Sequence, residues 1–289
     1  MNRNIICAVA IALCFYFTGK AHKVKKQDNV KLRFAYMTDV HLKYNNVGNC
    51  FAGFQQALDT AQKRNVEFIV FGGDCLDMNE YGTSLERADS LYVSFKSFLD
   101  KTPVKTYPAI GNHDRFFNNE KGYNEGDELF KKYFKESYYT FEHKGIRFFV
   151  LNSVQAGESG SAGYHVGTQQ MKWLHDCLQT VSPETPIVAV THVPVYSISE
   201  GGFTNGKELL KAFENHNLKL VLQGHIHLYE EIYSQKIWYV SAGAVSSGWW
   251  EGTYQGTEEG FLVVDIDSEN NFKWNYVDFG WVVKEPRFK

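Results

Sequence analysis

No charge of one sign dominates this chain. Its 289 residues hold 30 Lys and Arg against 33 Asp and Glu, a formal charge of -3 with His neutral. A basic surplus is the footprint of a dedicated nucleic-acid binder, and its absence argues against binding to a nucleic-acid polymer. Five cysteines are too few for a disulfide-dense miniprotein framework. The charge-free apolar run at residues 5–17 is thirteen residues long, short of the ~20 that span a bilayer. No Pro/Ser-rich linker and no internal repeat interrupts the chain after residue 30. What is present is a 44% hydrophobic, 16% aromatic composition, which excludes a disordered or collagen-like chain and suffices for a full core.

Residues 1–21 read as an export signal. Arg3 supplies a small basic region, the apolar run follows, and Gly19-Lys20-Ala21 offers a small-x-small cleavage site. The chain is therefore expected in the periplasm or secreted, with no transmembrane span left after cleavage behind Ala21. Leu13, not a small residue, precedes Cys14, which disfavours lipoprotein anchoring. Residues 22–30, with Lys23, Lys25 and Lys26, read as a solvated linker, and 31–289 as one domain. Cleavage leaves Cys50, Cys75 and Cys177, whose spacing fits no zinc or redox pattern. They are expected as mostly buried small apolar side chains with at most one disulfide.

From residue 32 onward, β-rich runs alternate with helical periodicity. Strands are expected at 32–37, 68–71 and 104–110, with helices at 54–64 and 85–99 between them. Phe54, Ala57, Leu58 and Ala61 share one face of the first helix, and Leu91, Phe95 and Phe98 stripe the second. Such strand-helix-strand order predicts βαβ units and a largely parallel sheet. Residues 138–142 and 146–151 flank Lys144-Gly145 as a hairpin, and a helix follows at 169–178. Buried strands at 187–190 and 218–222 lead into a β-rich last third, at 230–233, 237–240, 261–266 and 272–277. The whole reads as an α/β domain with mixed sheets.

Chemistry gathers where those strands end. In order, the loops carry Asp39-Val40-His41, Gly73-Asp74, Gly111-Asn112-His113-Asp114, Thr191-His192 and Gly224-His225-Ile226-His227. Loops at the carboxyl ends of parallel strands converge on a ligand crevice. Five of the ten histidines and three aspartates lie in these motifs. Imidazole and carboxylate donors suit manganese, iron, zinc or cobalt, whereas the lack of cysteine ligands argues against a structural zinc site. Two ions held close together need one bridging donor, and a carboxylate with two oxygens serves. The x-separated pairs Asp39/His41 and His225/His227 would point both side chains the same way if extended.

The set D-x-H, G-D, G-N-H-D, H and G-H-x-H, in this order, resembles the calcineurin-like metallophosphoesterase superfamily. Stretches 163–174 and 248–260 are similar to bacterial exported members. The resemblance implies a metallophosphoesterase-type four-layer α/β/β/α sandwich with two mixed sheets. It also implies a phosphoesterase using two divalent ions and an activated water, with a small phosphate ester as substrate. Carried over, Asp39, His41, Asp74 and His227 hold one ion, while Asp74, Asn112, His192 and His225 hold the other. His113 is then a general acid or phosphoryl donor, and Asp114 helps orient it. Purple acid phosphatases have tyrosine three residues after the bridging aspartate, where this chain has Asp77, so the purple subgroup is not expected.

Other residues keep two readings. Asn112 is a turn residue or a metal and phosphate contact, and Asp77 reads foremost as a loop carboxylate. Arg115 and Tyr44 flank the motif loops, as substrate contacts or as ordinary loop residues. Trp249 and Trp250 sit with Tyr254 in a Gly-rich loop, either as core or as a surface that stacks on substrate. The implied activity is hydrolysis of phosphodiesters, with phosphomonoesterase as the alternative. A non-catalytic scaffold on the same fold would show eroded ligands, and none is eroded here.

Overall fold

A computed structural model describes residues 29–78, 82–155, 164–199, 203–284 and 286–287. Residues 1–21, read above as an export signal, and residues 22–28 of the expected linker lie outside the described residues. Two mixed sheets form the centre. The first has the order β11-β10-β1-β2-β3, from β1 (Val30–Met37), β2 (Phe68–Phe71), β3 (Lys105–Pro108), β10 (Gly260–Asp267) and β11 (Phe272–Asp278). The second runs β4-β5-β6-β7-β9-β8, from β4 (Tyr139–His143), β5 (Ile146–Val150), β6 (Pro186–Val190), β7 (Asn217–Gln223), β8 (Tyr229–Ser234) and β9 (Ile237–Ala242). Strands β1, β2 and β3 are parallel, as are β5, β6, β7 and β9, and antiparallel strands close both edges of the second sheet and one edge of the first.

Period-two burial separates the layers. Leu32, Phe34 and Tyr36 of β1 point between the sheets, where they meet Phe148, Val188, Leu220 and Val264. Ala35 and Met37 point the other way, onto α1 (Cys50–Lys63) and α2 (Leu85–Lys101). On the far side, Phe149, Ile187 and Val221 pack against α4 (Thr168–Leu178) and α5 (Gly206–Ala212). This is the four-layer α/β/β/α arrangement the resemblance implied. The Ser84 hydroxyl caps α2 by accepting from the Arg87 amide, 3.2 Å away.

The strand and helix expectations match the structure to within a few residues. Two short helices, α3 (Glu128–Phe134) and α5, were not foreseen. Strand β9 inserts between β7 and β8, pairing parallel with β7 and antiparallel with β8. Cys50, Cys75 and Cys177 are all free thiols, the first two buried. No helix among the described residues is long and apolar enough to cross a membrane.

Candidate metal centre

Loops leaving β1, β2, β3, β6 and β7 are laced together by main-chain hydrogen bonds. The Asp39 amide donates to Gly73 O at 3.0 Å, that of His41 to Asp74 O at 2.9 Å, and that of Gly224 to His192 O at 2.9 Å. Asp39, His41, Asp74, His225 and His227 all have left-handed backbone, with φ between 46° and 73°. The D-x-H and H-x-H stretches are therefore not extended, and the alternation of an extended strand does not set their side-chain directions. Asp and His tolerate this region better than branched residues, but it still costs about 1–3 kcal/mol each. Glycine makes the loops fit: a Cβ on Gly111 would lie 2.2 Å from Asp74 Oδ1, and one on Gly224 would lie 2.6 Å from Asp39 Oδ2.

Two groups of donors result. In the first, Asp39, His41 and His227 converge; His41 Nε2 and His227 Nε2 are 3.0 Å apart, and His227 Nε2 is 3.4 Å from Asp39 Oδ1. The second joins Asp74, His192 and His225, with His192 Nε2 at 3.2 Å from Asp74 Oδ2 and 3.1 Å from Asn112 Oδ1. Asp74 Oδ2 also lies 3.7 Å from His41 Nε2, which places this carboxylate between the groups. Ring orientation is set from behind. His192 Nδ1 faces Gly72 O at 2.9 Å, and His227 Nδ1 faces Ser247 O at 2.5 Å, so both Nε2 atoms point into the centre.

The electrostatics ask for positive charge. Burial works against protonating His41, yet Asp39, Asp77 and Asp74 outweigh it and push the imidazole up to about 10. Burial likewise opposes a charge on His192, but Asp74 drives it to about 9. Burial would raise Asp74, and His192, His113 and His41 overcome it to hold the carboxyl well below its usual range. In effect the protein draws protons onto its own ligands. Two Nε2 atoms 3.0 Å apart, ionised buried carboxylates and an O/N donor set all fit a pair of divalent cations.

The profile of the calcineurin-like phosphoesterase family matches residues 32–229, which contain all five motifs. The chain belongs to that family. A curated relative, purple acid phosphatase 21 of Arabidopsis thaliana, is 29% identical over 208 residues, covering 63% of this chain and 43% of that protein. The chain thus spans less than half the length of that relative. A dimetal phosphatase from Danio rerio superposes with a TM-score of 0.63 at 14% identity, covering 83% of this chain and 94% of the other. GAP50, the anchor in the inner membrane complex of Plasmodium, superposes at 0.55 with 15% identity, over 86% and 84% of the two chains. At such identities these likenesses establish the fold.

In this calcineurin-like phosphoesterase His113 stands beside the donor groups, its ring 4.9 Å from that of His41. Its side chain keeps 35% of its surface exposed, whereas His41 and His192 have none. The carboxylate facing it is Asp77, 3.6 Å from His113 Nδ1 and 3.9 Å from His41 Nδ1. Reading Asp77 as a mere loop carboxylate missed this. Asp114 does not take the orienting role expected of it. Its two oxygens accept the amides of Leu76 at 2.9 Å and Gly111 at 2.8 Å, and it is buried beneath the loop.

Other expected substrate contacts divide. Trp249 lies with its ring 4.3 Å from that of His227 and 5.6 Å from that of Tyr254, forming one wall of the centre. Trp250 is 1% exposed, its ring fills the space over Gly53, and it cannot touch substrate. The adjacent residue in an irregular loop faced the opposite way, which no periodicity predicts. Arg115 donates to Val154 O at 2.8 Å and lies over the Phe117 ring. Tyr44 turns to α2, where the Arg87 guanidinium sits 5.1 Å from its ring.

Proposed function

We propose that this phosphoesterase hydrolyses phosphodiesters. The observation that carries the reading is the pair of donor groups joined at Asp74, with His113 half-exposed beside them. When bound, two divalent ions supply charge neutralisation for the ester and lower the pKa of water. Asp39, His41, Asp74 and His227 would hold one, and Asp74, Asn112, His192 and His225 the other; manganese, iron, zinc and cobalt all suit these donors.

The chain's own residues do the rest. Water forms the new P–O bond in line with the leaving oxygen, whose bond to phosphorus breaks. His113 delivers a proton from Nε2 to that oxygen, while Asp77 at the Nδ1 side keeps the ring turned toward it. Asn112, next to His113, can donate its amide N–H to a phosphoryl oxygen. Trp249 and Tyr254 offer ring faces to the leaving group.

A singly charged ester suits the site better than a dianion. Lys43 is paired with Glu251 at 3.0 Å, and the Arg115 guanidinium donates to Val154 O at 2.8 Å, so part of the positive charge beside the motif loops is already engaged. A phosphomonoesterase is the second reading, favoured by the name of the curated relative. Export to the periplasm or beyond is proposed on residues 1–21 alone. The test is turnover of bis(p-nitrophenyl) phosphate against p-nitrophenyl phosphate by the manganese-loaded protein. A diester rate at least ~10-fold higher is expected, about 1.4 kcal/mol of preference. The reverse order would give the assignment to monoesters.

A further inference from the structure

The loop that follows β9 lends Trp249 and Tyr254 to the substrate wall, but its Ser246, Ser247 and Trp250 have no part in the reaction just described, and the segment is strained. Ser247, Trp249 and Trp250 have φ of 43°, 54° and 66°. Three left-handed non-glycine residues within four positions persist only where surrounding contacts over-determine them. Besides hydrogen bonds within the loop, several contacts lead to one place. The Ser246 hydroxyl donates to Asp39 O at 2.8 Å, and the Ser247 carbonyl accepts from His227 Nδ1 at 2.5 Å. The Trp250 indole N–H donates to Val40 O at 2.7 Å and reaches His41 O at 3.2 Å. Asp39, His41 and His227 are the donors of the first group. His192 of the second group takes its orientation from Gly72 instead.

The rest of the molecule accommodates this indole. Gly53 sits inside α1, at about 1 kcal/mol relative to alanine, and a Cβ there would lie 2.2 Å from Trp250 Cζ3. Trp281, beyond β11, packs edge-on against it at 5.8 Å. Lys43, two residues past His41, pairs with Glu251 of the same loop.

We propose that residues 245–250 are a brace for one cation of the pair, with Trp250 as the positioning residue. Its N–H holds the left-handed D-x-H turn by two carbonyls and so fixes where Asp39 and His41 present their donor atoms. The brace rests on the reading that Asp39, His41 and His227 hold a cation. It makes the two cation sites unequal: the first is tuned through Trp250, the second is not.

The test is cobalt(II) titration of the full-length metal-free protein, followed by visible absorption and elemental analysis. Trp250→Phe keeps an aromatic ring, smaller than the indole, and removes the N–H. It is expected to weaken one of two equivalents by about 10–100-fold, the usual worth of a residue that orients ligands, and to leave the other unchanged. In a His192→Ala background the same loss should appear; in a His41→Ala background it should vanish. Trp173→Phe, the same change in α4, should alter neither equivalent. Ser246→Ala, which removes a single hydroxyl, carries the test if the larger change prevents folding, with an expected loss of about 2–10-fold. Equal losses at both sites, or none at either, would overturn the brace. Uptake of fewer than two equivalents by the unsubstituted protein would overturn the metal reading beneath it.

Discussion

The two donor groups differ in how they meet solvent. Asp39, His41 and His227 are all buried, and a strained loop grips them from behind. Asp74 and His192 are buried as well, but His225 is half-exposed, and so are Asn112 and His113 nearby. A buried group is tuned through the supports behind it. An open group can be completed by what enters from solution. The difference assigns roles: one half anchors, the other receives.

Asp74 belongs to both halves, so its loss should be the largest. Asp74→Ala is expected to abolish measurable turnover and to leave neither metal bound, as elemental analysis would read. One metal retained at full occupancy would show that the halves are independent. Next comes the residue at the open side. His113→Ala should keep two metals yet lose turnover by ~10²–10⁴-fold, with a larger loss on an alkyl than on an aryl diester, because nitrophenolate leaves without a proton. Equal losses on the two esters would point to transition-state charge stabilisation instead. Metal lost from this variant would make His113 a ligand.

A smaller effect separates two carboxylates. Asp77→Asn should lower turnover of alkyl esters by about 10-fold with little change in melting temperature, since it touches His113 from the solvent side. Asp114→Asn should do the opposite, because an amide can accept only one of the two backbone N–H bonds that hold the loop. If Asp114→Asn altered the pH profile more than Asp77→Asn did, the orienting role would return to Asp114.

The smallest prediction concerns folding alone. Burial, with Glu258 and Asp278 close by, pushes the Glu259 carboxyl up to about 7, and its Oε1 has no hydrogen-bond partner. A carboxyl raised in the folded state holds its proton longer there than in the unfolded chain. Folding stability is therefore lost as pH rises from the ordinary glutamate range through about 7. Glu259→Gln should be more stable than the parent at pH 8 by about 1 kcal/mol, or about 2–4 °C in melting temperature. The gain should disappear near pH 4.5, and a constant gain across this range would exclude ionisation as the cause.

Legibility in the sequence followed the regular elements and stopped at the irregular ones. Phe68–Phe71 could be read to the residue, because an unbroken apolar run buried on both faces ends at paired glycines. The seven-residue helices α3 and α5 were too short for a period to show, and α5 begins at a glycine. The five motifs were readable because donor residues recur after apolar strands. Asp77 was not, since nothing in its neighbours reveals that the loop folds back across His113 and His41. The Trp249–Trp250 pair failed for a related reason: two adjacent indoles in a loop carry no alternation. A clue existed in Gly53, an isolated glycine on the stripe of α1, which marks a bulky group approaching a helix.

The left-handed geometry of the ligands also bears on how any saturation mutagenesis of this protein should be read. At Asp39, His41, Asp74, His225 and His227, a valine or isoleucine removes a donor and simultaneously demands a φ that branched side chains resist. Depleted variants there would mix lost chemistry with lost soluble protein. Asparagine tolerates the same backbone region while weakening or abolishing ligation. Comparing asparagine with valine at each of these five codons therefore separates the two causes without purifying a single variant, using abundance and activity as paired readouts.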